Sequence, residues 1–151
     1  MTRRRICQKA NNMYQITTLG HTEAQRAIAA VQAEMARRGE VGVIAVADAH
    51  GELVGLLRVD GAPLASIVIA TNKAWTAARE RKPTRQIGKE SRDPQSAFDI
   101  AYYGDMRYLG WGGGVPVMVE GNVVGAVAVS GITEDEDVAL AQFGAAAIQN
   151  G

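Results

Sequence analysis

The chain has one cysteine, Cys7, four prolines and two histidines in 151 residues, and its 16 basic side chains are balanced by 16 acidic ones. Each shortage excludes something. A lone cysteine forms neither an intramolecular disulfide nor a CxxC metal or redox pair, which fits a reducing cytoplasm. Balanced charge gives no overall field to favour nucleic acid or a membrane surface. The one local bias is Arg3-Arg4-Arg5, which reads as a solvated tail in preference to a nucleic-acid arm. No apolar run approaches the roughly 18–20 residues of a membrane span. The basic N-terminus is not followed by the apolar core of a secretory signal. Two histidines, His21 and His50, cannot build a three- or four-ligand zinc site alone, and no carboxylate spacing completes one. A nucleophile elbow and a Ser-His-Asp set are also missing, which argues against a hydrolase. The expectation is a soluble cytoplasmic protein without nucleic-acid or membrane partners.

What is present is more telling. Val43–Val59 (VIAVADAHGELVGLLRV) and Val115–Val129 (VPVMVEGNVVGAVAV) repeat one design. Each is an apolar, β-branched run, a polar turn and a second apolar run. Each ends in a small polar-Gly step, Asp60-Gly61 or Ser130-Gly131. In the first, strands over Val43–Ala47 and Leu53–Val59 join through Asp48, Ala49, His50 and Gly51. Near-continuous apolar strands imply cover on both faces, or on one face plus a subunit contact. Two hairpins, each feeding a helix-like segment, predict an α+β domain with an antiparallel sheet and helices packed on it.

The helical segments carry their own signals. Met1 to about Thr18 is polar and aperiodic and reads as an N-terminal arm (1–18) before a single domain (19–151). Thr22 with Gln25 predicts a capping box, and Ala24, Ile28, Val31 and Met35 form one apolar stripe that Gly39 closes. Pro63 suits the first turn of a second helix, in which Leu64, Ile67, Val68, Thr71, Trp75 and Ala78 share one side. Ser66, Lys73, Thr76 and Glu80 lie on an adjacent, more polar side. Thr133 with Glu136 predicts a second capping box, with Glu134 and Asp135 in the favourable first turn.

Between Thr84 and Gly114 no period emerges; Phe98 to Tyr103 reads as a short helix or a strand. Gly110, Gly112, Gly113 and Gly114 invite a phosphate-loop reading, which fails because they lead into a strand rather than a helix. Backbone N–H groups there could still receive a carboxylate, or the glycines could serve only close approach to the sheet. Tyr102, Tyr103, Tyr108 and Trp111 read as ligand walls or as packing.

At this point the chain resembles a known family. IAVADAHGELVGLLRVDGAPLASIVIATNKAWTAA is similar to the GlcG/HbpS-like, haem-degrading family, whose domain also forms the C-terminal part of PduO-type corrinoid adenosyltransferases. The family's VVDAGG turn appears as Val46-Ala47-Asp48-Ala49-His50-Gly51. Its R-M-D-G-A step appears as Arg58-Val59-Asp60-Gly61-Ala62. Its helix motif appears as Ser66-Ile67, Ala70 and Lys73-Ala74-Trp75-Thr76-Ala77. The second hairpin, from Gly112-Gly113-Gly114-Val115-Pro116 through Gly121 and Gly125 to Ser130-Gly131, matches its second motif. The likeness spans about residues 17–149 and departs from the pattern at His50, where a glycine is usual.

The resemblance implies a profilin-like α+β fold, a central antiparallel sheet with helices on both faces. It also implies a homo-oligomer and a small-molecule ligand, with haem or a related tetrapyrrole first. The expected ligand-binding residues are His21, His50, Arg58, Asp60, Lys73, Gly113 and Gly114, with His21 as the iron ligand. Either imidazole could ligate iron, and Arg58 and Lys73 could hold anionic groups. They are expected to share one pocket between the first helix, the first hairpin and the glycine loop. The bland readings stand beside these: His21 and His50 exposed, Asp60 a helix cap, Lys73 a snorkelling side chain. The alternative function is an enzyme or accessory protein of small-molecule catabolism, in which Lys73, Asp60, Arg58 and His50 act on a carboxylated metabolite by proton transfer.

Overall fold

The computed structural model describes residues 12–151; Cys7 and Arg3-Arg4-Arg5 lie outside them. In chain order the elements are α1 (His21–Arg38), β1 (Val43–Asp48), β2 (Leu53–Arg58), α2 (Ser66–Glu80), α3 (Thr84–Arg92), a 3-10 turn at Ile100–Tyr103, β3 (Gly114–Val119), β4 (Asn122–Ser130) and α4 (Glu134–Gln149). The strands form one antiparallel sheet in the order β2-β1-β4-β3. Both hairpins are therefore present, and their first and last strands meet at the centre of the sheet.

Alternation along the central strands splits the core into two unlike layers. Ile44, Val46, Val127 and Val129 face α1 and α4, where they pack with Ala27, Val31, Met35, Leu140, Ala145 and Ile148. Burying each branched side chain of this kind contributes about 1.5–3 kcal/mol. The opposite face is built from Ala45, Ala47, Ala126 and Ala128 with Val43, against Ala70, Ala74 and Ala77 of α2. Small residues on both sides let α2 lie close to the sheet. Helices thus cover both faces, which accounts for strands that are apolar on both sides without a subunit contact.

Several boundaries differ from expectation. The first helix starts at His21, with Gly20 at its N-cap, and the Gly20 N–H donates to Glu23 Oε2 at 2.9 Å. Glu23, not Gln25, is the partner the box uses. α2 starts at Ser66 with Ala65 at the cap, so Pro63 sits in the preceding turn and Asp60, exposed, caps nothing. The structure also decides how α2 is oriented. Leu64 (69% exposed) and Val68 (58%) lie outside with Ile67, while Ser66, Lys73 and Thr76 are buried with the alanines. Ser66, Lys73 and Thr76 thus share the inner side with the alanines that meet the close sheet, and Trp75 and Ala78 are buried as well. α3 was not foreseen: it follows Pro83 directly and buries only Thr84, Ile87 and Gly88. Thr133 does cap α4, its Oγ1 accepting from Glu136 N–H at 3.3 Å.

Candidate functional site

Antiparallel pairing gives the sheet two ends with different chemistry. At one end lie the hairpin turns, near Asp48 and Gly125, which are paired across β1 and β4. At the other lie Arg58, Val43 and Ser130, which share one row across β2, β1 and β4. The residues expected to share one pocket are divided between these ends. His21 and His50 belong to the turn end; Arg58, Asp60, Lys73, Gly113 and Gly114 belong to the other. The single pocket anticipated from the sequence does not form, because strand length separates the first helix's start from the glycine loop.

The turn end is built by short-range polar contacts. Asp48 Oδ1 accepts from His50 N–H at 2.9 Å and Glu52 N–H at 3.0 Å, so Asp48 shapes the turn. The left-handed position falls on Gly51, at φ 91°, and His50 therefore meets no conformational penalty. The arm docks here: Thr18 Oγ1 accepts from Ala49 N–H at 2.9 Å, and Leu19 N–H donates to the Val124 carbonyl at 2.9 Å. Between arm and hairpins runs a groove of about 520 Å³, lined by Tyr14, Ile16, His50, Arg81, Met118 and Val123 among others. His50 and Arg81 are exposed, so an imidazole and a guanidinium are both available to a ligand there. His21, the first residue of α1, is exposed outside this groove.

The glycine end is charged, and cavities of about 350 and 210 Å³ open there, the first lined by Gly113 and Gly114 with Arg85 and Lys89. Lys73, 2% exposed, donates from Nζ to the Val129 carbonyl and to Asp137 Oδ2, each at 3.0 Å. It is desolvated rather than snorkelling. Asp137, at the start of α4, also accepts from Ile132 N–H at 3.2 Å. Burial pushes the Asp137 carboxyl above its usual range, and Lys73 opposes that shift. Glu134 accepts from Gly112 N–H at 2.9 Å and from Arg85 at 3.3 Å, which hold its carboxyl below the usual range.

The glycines here also make close contacts within the fold. Thr84 Oγ1 accepts from Gly114 N–H at 2.9 Å, so two of the backbone donors considered for a ligand are already engaged. A side chain at Gly114 would meet the Lys73 carbonyl at 2.5 Å, and Gly88 packs directly on Gly110. Arg58 and Asp60, both exposed, do not line the cavity beside Lys73. The aromatic wall is dispersed too. Tyr108 meets Trp75 edge-on at 4.5 Å and Tyr103 at 4.8 Å, while Tyr102 is exposed. Arg79 and Arg107 sit against the Trp75 ring at 4.6 and 4.2 Å.

Two residues that matter were missed. Asp137 stands three residues before Leu140 on the stripe Leu140, Ala141, Gly144, Ala145 and Ile148, a spacing that marks it as inward-facing. Arg81 gave no such signal; it ends α2 in the left-handed conformation, at φ 57°. Among the described residues no cluster of three or more potential ligands could hold a metal ion, and no helix is long and apolar enough to cross a membrane.

A four-stranded antiparallel sheet between helical layers, with an open groove at its turn end, defines a small α+β domain. The match to a family model makes this specific: residues 19–146 fit the "haem degrading protein HbpS-like" family, and the chain belongs to it. It is 33% identical over 132 residues to a 15.0 kDa protein from the dhaT–dhaS intergenic region of Citrobacter freundii, covering 87% of this chain and 93% of that one. Its structure resembles Klebsiella pneumoniae ORFY, with a TM-score of 0.84, 32% identity, and 91% and 95% of the two chains covered. It also resembles a PduOC–haem complex, with a TM-score of 0.77, 26% identity, and 87% and 95% covered.

Proposed function

We propose that this protein binds haem or a related tetrapyrrole in the turn-end groove. The observation that carries the reading is the groove itself, which combines an exposed imidazole, a guanidinium and apolar walls from Tyr14, Ile16, Met118 and Val123. A tetrapyrrole needs those three things: an axial nitrogen, a partner for its carboxylates and apolar cover for a flat ring. The related PduOC structure, which holds haem, supports the same ligand class. His50 would supply a neutral imidazole to the iron, and Arg81 would take a carboxylate bidentately. Bound haem would bring an iron centre able to take up a further ligand. His21 is the second imidazole at this end and would serve where the ligand reaches the start of α1.

Self-association accompanies this reading. Leu64, Ile67 and Val68 form an apolar patch on the outer side of α2 with no partner in the fold, and a second copy would cover it. Light scattering at micromolar concentration is expected to show an oligomer, and Val68→Asp to dissociate it.

Titration with haemin tests the main proposal. The expected result is a saturable Soret shift that His50→Ala abolishes while the fold is retained by circular dichroism. Loss in His21→Ala instead would move the iron to α1. No saturable shift in the unmutated protein would end the haem assignment.

A further inference from the structure

At the opposite end of the sheet is a cavity of about 210 Å³ that the haem reading does not use. It lies over Lys73 and Asp137 and is lined by Trp111, Gly112, Ser130, Ile132 and Glu134. At roughly 30 Å³ per water it has room for a compact molecule of a few carbon atoms.

Its polar groups are only partly used. An ammonium has three N–H donors, and Lys73 directs two of them to Val129 and Asp137. Ser130 is 4% exposed and stands on the α2 side of β4, level with Val43; its hydroxyl has no hydrogen-bond partner among the described residues. Both groups line the cavity, so the hydroxyl and the third ammonium N–H are open to a molecule that enters it.

Charge selects what that is. The ionised groups are already paired, Lys73 with Asp137 at 3.0 Å and Glu134 with Arg85 at 3.3 Å. An added anion would face two carboxylates, with Asp135 and Glu136 behind them in the first turn of α4. An added cation would face Lys73. An uncharged polar molecule meets neither conflict.

We propose that this cavity is a second ligand site, for a small uncharged hydroxy-carbonyl compound. The carbonyl oxygen accepts the third Lys73 N–H, the hydroxyl pairs with Ser130, and Trp111 and Ile132 cover the carbon chain. The site is independent of the turn-end groove.

Trp111, 59% exposed, gives a direct readout, since the other tryptophan, Trp75, is buried. The probe is hydroxyacetone, titrated into the full chain and followed by fluorescence and by saturation-transfer NMR. A saturable fluorescence change is expected, lost in Trp111→Phe while the NMR signal persists. Ser130→Ala is expected to weaken binding roughly three- to tenfold, the worth of one hydrogen bond. His50→Ala is expected to leave it unchanged. Absence of saturation by both methods would overturn the proposal. So would tighter binding of glycolate, or an affinity indifferent to Ser130→Ala in a folded variant.

Discussion

The two ends of one sheet are built in opposite ways. At the glycine end, helices, loop and strand tips press together: Gly88 lies on Gly110, Gly114 lies under the Lys73 carbonyl, and a buried Lys73–Asp137 pair ties α2 to α4. At the turn end the hairpins stop short, the arm lies across them, and His50, Arg81 and Asn122 remain exposed. The same strands supply both ends, so strand composition does not create the difference. It comes from where the helices stop. α4 begins, and Lys73 reaches, beside the Gly113 end of β3, while α2 finishes at Glu80 near the first turn, where Arg79 donates to the His50 carbonyl at 3.3 Å. A crowded end fixes groups in place; an open one admits a large ligand.

Substitutions should separate these roles by size. Lys73→Met is expected to cost the most, about 3–5 kcal/mol in urea unfolding, because it strands the Asp137 carboxyl in the core. Replacing both, as Lys73→Met with Asp137→Leu, should recover most of that loss; a double variant as unstable as the single one would mean the pair does more than satisfy itself. Gly114→Ala comes next, at about 1–3 kcal/mol, since a backbone carbonyl 2.5 Å from the new carbon cannot easily retreat. A smaller effect belongs to acid. At the C-terminal end of α1, Arg37 and Arg38 hold the Glu34 carboxyl at about 2, below its ordinary 4.5. A carboxyl lowered on folding stabilises the protein above its unfolded value, and that contribution disappears as pH falls from 4.5 through 2. Melting temperature should therefore drop over that range, and drop less in Glu34→Gln. His50→Ala should change stability least, within about 0.5 kcal/mol, although the proposed haem site would lose its imidazole. A large destabilisation there would show that the turn end is structural after all.

Much of this was legible in the chain. Both hairpins, the Gly39 stop and the Thr133 cap follow from local pattern, because turn chemistry and capping depend on residues only a few positions apart. α3 was not legible, since Thr84–Arg92 has little apolar periodicity and is held by contacts with the distant glycine loop. The site was only half readable. His50 and Lys73 were singled out, but their placement at opposite ends depends on strand pairing across the whole sheet.

The sequence by itself determined both hairpins, the helices α1, α2 and α4, their order and the family to which the chain belongs. Only the tertiary structure decided which face of α2 is buried. A helix carrying both Leu64-Ile67-Val68 and Ser66-Lys73-Thr76 has two credible inner sides, and the alanine-lined sheet selected the smaller one. That choice buried Lys73 beside Asp137 and left an apolar patch outside. The physical reason is steric: close helix–sheet approach rewards small side chains over greasy ones, and no reading of hydrophobicity along a single helix contains the distance to its partner.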